Sequence, residues 1–304
     1  MHVYLPIANL AVNVLVIIGL GAITGILSGM FGVGGGFLTT PLLIFYGVPP
    51  TVAAASAASQ VTGASVSGVL AHRRRGGVDY QMGGVMVAGG VLGTGIGALL
   101  FKLFSALGQI DTLINVLYVV LLGGIGGFMA RDAWAEIRAQ RSGVTVPAKK
   151  RRHHPLVANL PMRWRFYRSG LYISPLAPLL LGVVTGILTM LMGIGGGFVL
   201  VPAMLYILGM SANVVVGTSL FQILFTTMAT TLMHAMTTHA VDIVLATLLL
   251  FGSVTGAQLG ARFARQVPAE RLRMVLAILV LIIALRMGLG LTYRPEALFT
   301  ISPL

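Results

Sequence analysis

Two stretches decide the fold of this chain: ITGILSGMFGVGGGFLTTP at 23–41 and VTGILTMLMGIGGGFVLVP at 184–202. They are identical at ten of their nineteen aligned positions. In each stretch an apolar run meets a GxGGG segment, and a second, shorter apolar run follows. Consecutive glycines interrupt a helix because they enter backbone conformations that other residues avoid. The pattern therefore predicts two apolar helices, each broken at its glycines, Gly32–Gly36 and Gly193–Gly197.

The similarity between the two stretches continues downstream as an internal repeat. The matched pairs are Gln60 and Gln222, His72 and His234, Asp79 and Asp242, Gly93 and Gly256, and Gly97 and Gly260. The offset between partners drifts only from 161 to 163 residues. The chain is therefore predicted to contain two copies of one unit, residues 1–130 and 175–304, joined by a basic linker at 131–174.

The composition of the chain places both copies in a lipid bilayer. Of the 304 residues, 57% are hydrophobic and only 9% are charged, and the mean hydropathy is +0.95. Soluble domains carry about 25% charged residues, so the composition excludes a soluble enzyme, a disordered tail and a nucleic-acid-binding module. Cysteine is absent, which removes disulfides, thiolate metal sites and cysteine nucleophiles.

Most apolar runs match the roughly 20 residues that a helix needs to cross a bilayer. Six full spans are predicted at about 51–71, 79–100, 110–130, 212–234, 241–260 and 272–292. The runs after the glycines, about 37–46 and 198–208, are too short to cross at 1.5 Å per residue. The predicted fold is an all-α polytopic membrane protein in which each repeat contains a broken or re-entrant helical hairpin with a GxGGG turn, plus three transmembrane helices.

The distribution of charge gives the two repeats opposite orientations. Ten of the 20 Lys and Arg residues lie between Arg131 and Arg168, where the positive-inside rule predicts a cytoplasmic segment. The loop HRRRGGVD at 72–79 is basic, whereas its counterpart HAMTTHAVD at 234–242 has no Lys or Arg, which is typical of an inverted-topology repeat. We expect a multi-pass protein of the cytoplasmic (inner) membrane, with a cytoplasmic linker and both termini outside. Anionic lipids, rather than nucleic acid, are the expected electrostatic partners.

The glycine turns are the strongest candidates for a binding site. Backbone that unwinds inside a membrane must be buried in protein or line a wet cavity. Successive glycine N–H groups can point at one spot, and a helix that starts directly afterwards adds the positive end of its dipole. Such a site suits an anion, and its predicted residues are Gly34, Gly35, Gly36, Gly195, Gly196 and Gly197. The alternative is that these glycines only permit a sharp turn and close packing.

Neutral polar side chains on the following runs extend the candidate site. They are Ser56, Ser59, Gln60, Thr218, Ser219 and Gln222. An amide or hydroxyl can donate to an oxyanion without the cost of a buried charge. Hydrogen bonding between helices is the competing explanation for all of these residues.

The ionisable residues do not suggest catalysis. The seven acidic residues all fall at the ends of runs or in loops, so paired carboxylates and a mid-membrane proton relay are not expected. No cofactor is expected, and His153 and His154 in the linker give only a weak suggestion of a metal. His72 and His234 end equivalent runs, where they could be protonation switches or simple interfacial residues. The chain is therefore predicted not to be an enzyme.

The pattern GILSGMFGVGGGFLTTP, followed by a Ser/Gln-bearing run and HRRRGGVD, resembles the TauE/SafE family of sulfite and organosulfonate transporters. The second copy, GILTMLMGIGGGFVLVP with GTSL, fits the same pattern, although Ser56-Ala57 stands in the first copy where the second has Thr218-Ser219. The resemblance implies export of a small sulfur-containing oxyanion, such as sulfite or sulfoacetate. The resemblance leaves proton-coupled uptake of thiosulfate or sulfonates open as an alternative function. It also leaves open that the protein forms a homodimer.

Overall fold

The computed structural model describes residues 2–31, 34–73, 76–141, 163–263 and 269–292, and this part of the chain is mainly helical. Its helices are α1 (Val14–Phe31), α2 (Gly36–Phe45), α3 (Pro50–Arg73), α4 (Tyr80–Ala106), α5 (Ile110–Arg141), α6 (Leu176–Met192), α7 (Gly197–Tyr206), α8 (Ala212–Thr237), α9 (Ile243–Phe263) and α10 (Ala269–Thr292). A short antiparallel β-hairpin precedes each set of five helices: β1 (His2–Leu5) with β2 (Leu10–Asn13), and β3 (Trp164–Phe166) with β4 (Leu171–Ile173). The same order of elements therefore occurs twice.

Both predicted helix breaks are confirmed. Helix α2 begins at Gly36 after a break behind α1, and α7 begins at Gly197 after a break behind α6. Gly32 and Val33 lie outside the described residues. Helices α2 and α7 have 10 residues each, a length of about 15 Å, which is half the thickness of a bilayer core.

Five described helices are long and apolar enough to cross a membrane: Tyr80–Ala106, Ile110–Ala135, Val214–Thr237, Ile243–Gly260 and Met274–Leu291. The sixth predicted span corresponds to α3, which has 24 residues but is rich in Ala, Ser and Gly. Helix α3 is less apolar because it packs against α8, α9 and α2 instead of facing lipid along its whole length. Its small side chains, including those of Ala54, Ala57 and Ala58, are fully buried.

The helices of one half pack mainly on helices of the other half. Helix α1 packs along α9, and its counterpart α6 packs along α4. The remaining main contacts join α3 to α8 and α5 to α10. Glycines let the backbones approach closely in the α1–α9 pair and in the α4–α6 pair. Gly25 of α1 lies against the backbone of Ser253, and Gly93 of α4 lies against that of Val183. Small residues at such crossings are what membrane helices use in place of a hydrophobic driving force.

Two buried aspartates fix the β-hairpins to the helices. The Asp79 carboxylate accepts hydrogen bonds from the N–H of Gln81 at 3.1 Å and from the N–H of Ser169, in the second hairpin, at 3.0 Å. The Asp242 carboxylate accepts from the N–H of Leu245 at 3.1 Å and from that of Ile7, in the first hairpin, at 3.2 Å. Each aspartate therefore caps a helix and anchors a hairpin from the opposite half.

The hairpins and the extent of α5 are features that the sequence analysis did not predict. The strands have only three or four residues, too few to give an alternating pattern. Helix α5 continues to Arg141, and the hairpin at 164–173 follows residues 142–162, so both elements fall within the predicted linker. His153 and His154 belong to the part of the linker that lies outside the described residues.

Candidate functional site

The two glycine turns meet inside the helix assembly. A Cβ atom added to Gly36 would stand 2.8 Å from the carbonyl oxygens of both Gly193 and Ile194, so α2 begins directly against the second turn. The first aromatic side chains after the turns, Phe37 and Phe198, stack with ring centroids 4.9 Å apart and an interplanar angle of 14°. The N-terminal ends of α2 and α7 therefore converge on one place.

The backbone of both turns has the left-handed conformation that favours glycine. The φ angles are 86° at Gly34, 66° at Gly35, 77° at Gly195 and 72° at Gly196. A side chain at these positions costs about 1–2 kcal/mol per residue, so the sequence has to be glycine for the chain to turn in this way.

The helix ends that start at the turns have unused hydrogen-bond donors. Neither α2 nor α7 has a side chain that caps its N-terminus. Within the described ranges, the N–H groups of Phe37, Gly197 and Phe198 have no acceptor. Free N–H groups and the positive dipole end together make each terminus attractive to an anion.

Apolar side chains from α3 and α8 cover the turns. Val61 and Ile223 both lie within 3.5 Å of the Cβ positions built on Gly34 and on Gly195. Both side chains are fully buried, and they are equivalent positions of the repeat. Their apolar groups lower the polarity of the surroundings, which strengthens any electrostatic interaction at the turns. The sequence analysis did not select them, although each directly follows a selected glutamine.

Hydroxyl groups of α1 and α6 form a second layer around the turns. Gly35 lies against Ser28 and the backbone of Thr24, and Gly196 lies against Thr185 and Thr189. The hydroxyls of Thr24 and Thr185 donate to carbonyl oxygens one turn earlier in their own helices. The sequence analysis missed all four residues, although they occupy matching positions in the two copies of the repeat.

Gln222 and Gln60 are both buried, and neighbouring hydroxyls occupy the amide nitrogen of Gln222. Its Nε2 group donates to the hydroxyls of Thr226 at 2.9 Å and Thr185 at 3.3 Å. Its carbonyl oxygen, Oε1, has no hydrogen-bond partner among the described residues, and the same holds for Oε1 of Gln60. The unused atom of Gln222 is therefore an acceptor, whereas an oxyanion requires a donor. For Gln60, no hydrogen bond to a described residue fixes which end of the amide is free.

The other four predicted polar residues bond to helix and loop groups. Ser56 Oγ accepts from the N–H of Asp242 at 3.1 Å, and Thr218 Oγ1 accepts from the N–H of Asp79 at 2.9 Å. The remaining two are Ser59, which donates to Ala55 O and lies 3.4 Å from the hydroxyl of Thr231, and Ser219, which donates to Val216 O. None of these hydroxyls is bonded to a described residue of the glycine turns.

The C-terminal end of α6, where the second turn begins, is held by side chains from three other helices. The Tyr118 hydroxyl donates to Met192 O at 2.7 Å, and the Thr40 hydroxyl donates to the same oxygen at 3.3 Å. His234 Nε2 lies 2.9 Å from Met190 O. His234 is fully buried, so it is a structural partner of this helix end and not an interfacial side chain.

The site contains no carboxylate or imidazole cluster among the residues described. In those ranges, no three His, Cys, Asp or Glu side chains come close enough together to hold a metal ion. The carboxylates of Asp79 and Asp242 are engaged by the helix and hairpin N–H groups described above. The arrangement offers backbone donors, hydroxyls and amides, which can bind an ion.

Comparisons with known proteins match nearly the whole chain. The family model described as "Sulfite exporter TauE/SafE" matches residues 17–287. The probable membrane transporter protein YjnA of Bacillus subtilis (strain 168) is 26% identical over 283 residues, which cover 89% of this chain and 98% of that protein. A probable membrane transporter protein of Xylella fastidiosa (strain Temecula1 / ATCC 700964) is 27% identical over 277 residues, covering 90% of this chain and 94% of the relative.

A plant relative matches a shorter part of the chain. Sulfite exporter TauE/SafE family protein 3 of Arabidopsis thaliana is 33% identical over 115 residues, or 35% of this chain and 24% of that protein. No solved structure matches the chain significantly.

Proposed function

The chain belongs to the sulfite exporter TauE/SafE family of membrane transporters, and from this premise we propose that it exports a small sulfur-containing oxyanion from the cytoplasm. Sulfite, or an organosulfonate such as sulfoacetate, is the proposed cargo. The proposed binding site lies near the middle of the inner membrane, where the two glycine turns meet.

The convergence of two uncapped helix N-termini is the observation that carries this proposal. Gly36 lies against Gly193 and Ile194, and Phe37 stacks on Phe198, so the two positive helix ends share one small region. A sulfite or sulfonate group is compact and presents several acceptor oxygens to such donors. Neutral backbone donors bind it without placing a fixed positive charge in the membrane, which would be costly.

An inverted arrangement of the two halves would bring the two short helices to the middle of the membrane from opposite faces. The exchange of packing partners, with α1 on α9 and α6 on α4, supports two equivalent units that enter the membrane from opposite sides. In the proposed topology the basic segment 131–174 is cytoplasmic, and the short helices α2 and α7 reach the middle of the membrane from either face. Movement of one unit against the other would then expose the site alternately to the two sides.

The membrane potential supplies a driving force for export. An inside-negative potential favours exit of a monovalent anion by about 2.3 kcal/mol per 100 mV. Export of this kind needs no coupling ion. Among the described residues, the carboxylates of Asp79 and Asp242 accept hydrogen bonds from helix and hairpin N–H groups.

Binding to the purified protein tests the proposed cargo. We expect sulfite and sulfoacetate to raise the melting temperature by several degrees, because a ligand at 100 times its Kd stabilises the folded state by about 2.7 kcal/mol. Acetate and phosphate serve as control anions without sulfur, and sulfate shows whether a fully oxidised sulfur dianion also binds. A melting temperature that rises equally with acetate, or with none of the anions, would contradict a site for sulfur oxyanions.

A further inference from the structure

We infer that this site selects an anion that itself carries a hydrogen-bond donor, and that the carbonyl oxygen of Gln222 accepts that donor, with Gln60 in the equivalent role in the other half. This inference rests on the proposed function and narrows its substrate class. It favours hydrogensulfite, or a sulfonate that bears an O–H or N–H group, over an anion that presents only acceptors. Among the proposed cargoes, sulfoacetate has no donor when both of its acid groups are ionised, so it should bind less tightly than hydrogensulfite.

The orientation of the Gln222 amide follows from its neighbours. The Thr185 hydroxyl donates its hydrogen to Leu181 O at 2.9 Å, so only its lone pairs can face Gln222. The group of Gln222 that lies 3.3 Å from Thr185 is assigned as the amide N–H, because in this orientation it also donates to Thr226 at 2.9 Å. The carbonyl oxygen is left as the free atom of this side chain.

A buried acceptor without a donor is costly, and here it occurs at both equivalent positions. Gln222 is fully buried and Gln60 is 1% exposed, and neither Oε1 atom has a partner among the described residues. Most buried polar side-chain atoms in proteins are hydrogen-bonded, so each exception calls for a missing donor. Because both glutamine carbonyl oxygens lack a donor, we infer that a ligand supplies one to each of them in turn.

Each glutamine lies next to a residue that contacts the glycine turns. Gln222 donates to Thr185, which itself packs against Gly196, and Ile223, the residue after Gln222, contacts both turns. Val61, the residue after Gln60, does the same in the other half. Across α3 and α8, Thr62 bonds to Thr227, so Gln60 and Gln222 lie about 10 Å apart along the antiparallel helices at 1.5 Å per residue. The two amides therefore lie at different heights along the α3–α8 pair, each next to a residue that contacts the turns.

The chemistry of the free oxygen sets the selectivity. A carbonyl oxygen repels an anion that presents only acceptor oxygens, because their partial charges have the same sign. An O–H or N–H on the cargo satisfies the oxygen, while the remaining oxyanion atoms face the helix N-termini. A site built to hydrogen-bond a ligand hydroxyl rejects the analogue that lacks it, because the buried polar group is then left unpaired.

The test compares two sulfonates that differ by one hydroxyl, ethanesulfonate and 2-hydroxyethanesulfonate. Their affinities for the purified full-length protein are measured by calorimetric titration, with sulfite in a parallel experiment. We expect the hydroxyl compound to bind at least about tenfold more tightly, since one buried hydrogen bond gives a difference of that order. Equal affinities, or tighter binding of ethanesulfonate, would overturn the inference and leave the proposed function intact. Failure of all three compounds to bind would instead refute the proposed cargo.

A variant assigns the preference to the glutamine. We expect Gln222→Leu to reduce the difference between the two sulfonates to less than about twofold, mainly through weaker binding of the hydroxyl compound. Gln109→Leu makes the same chemical change at an exposed position and should leave the preference unchanged. If Gln222→Leu does not fold, Gln60→Leu takes its place. A preference that survives in both glutamine variants would contradict the assignment.

Discussion

Replacing Gly93 with alanine is expected to prevent the protein from folding into a stable assembly. The added Cβ would overlap the carbonyl oxygen of Val183 and stand 2.8 Å from its carbonyl carbon, so α4 and α6 could not keep their spacing. Backbone atoms cannot turn aside as a side chain can, and the same face of α4 also packs Gly89 against Leu179. Detergent-solubilised protein should lose its monodisperse peak in size-exclusion chromatography, or melt many degrees lower.

Gly95→Ala is the matched control for this prediction. Gly95 lies two residues further along α4 and has no heavy atom within 4 Å of its Cβ position. Alanine there should leave the protein folded, and should stabilise the helix by roughly 0.5–1 kcal/mol. Similar melting temperatures for the two variants would mean that α4 and α6 are not packed as described.

Gly36→Ala should abolish transport while preserving most of the fold. The φ angle of Gly36 is outside the left-handed region, so its backbone accepts alanine, but the new Cβ would stand 2.8 Å from the carbonyl oxygens of Gly193 and Ile194. The two turns must separate to make room, and the donors of α2 and α7 then no longer face one ion. We expect sulfite flux in proteoliposomes to fall by on the order of 100-fold, the loss that a misplacement of about 1 Å can cause.

Gly47→Ala provides a control with a similar cost in stability. Gly47 follows the other end of α2, has a φ of 98° and has no heavy atom within 4 Å of its Cβ position. Alanine there strains the backbone by about 1–2 kcal/mol but leaves the turns in contact. Transport should survive in Gly47→Ala. If Gly36→Ala also transports sulfite at the wild-type rate, the meeting point of the turns is not the binding site.

The glycine turns and the short helices were predictable because they depend on local sequence. Consecutive glycines break a helix wherever they occur, and the repeat showed that the break at Gly193–Gly197 has a counterpart at Gly32–Gly36. The membrane class followed from composition alone. The lower hydropathy of α3 agrees with its burial, which only the packing of α2, α8 and α9 around it reveals.

The roles of the polar side chains were not predictable in the same way, because they depend on contacts far apart in the sequence. Ser56 and Thr218 were selected for their hydroxyls, yet each accepts a hydrogen bond from the N–H of an aspartate in the opposite half. The amide of Gln222 was predicted as a donor to an anion, but its N–H groups bond to the hydroxyls of Thr185 and Thr226. Periodicity places these residues on a helix face, but it does not say which neighbour that face meets.

The effect of membrane potential on sulfite efflux tests the central claim most directly, namely that an anion leaves through the site at the glycine turns. Proteoliposomes containing the wild-type protein are loaded with labelled sulfite, and a potassium gradient with an ionophore sets the potential. We predict that efflux accelerates as the inside becomes more negative, since each 100 mV contributes about 2.3 kcal/mol per charge, and that Gly36→Ala vesicles stay at the background rate. Efflux that does not respond to the potential, or that persists in Gly36→Ala, would contradict the account.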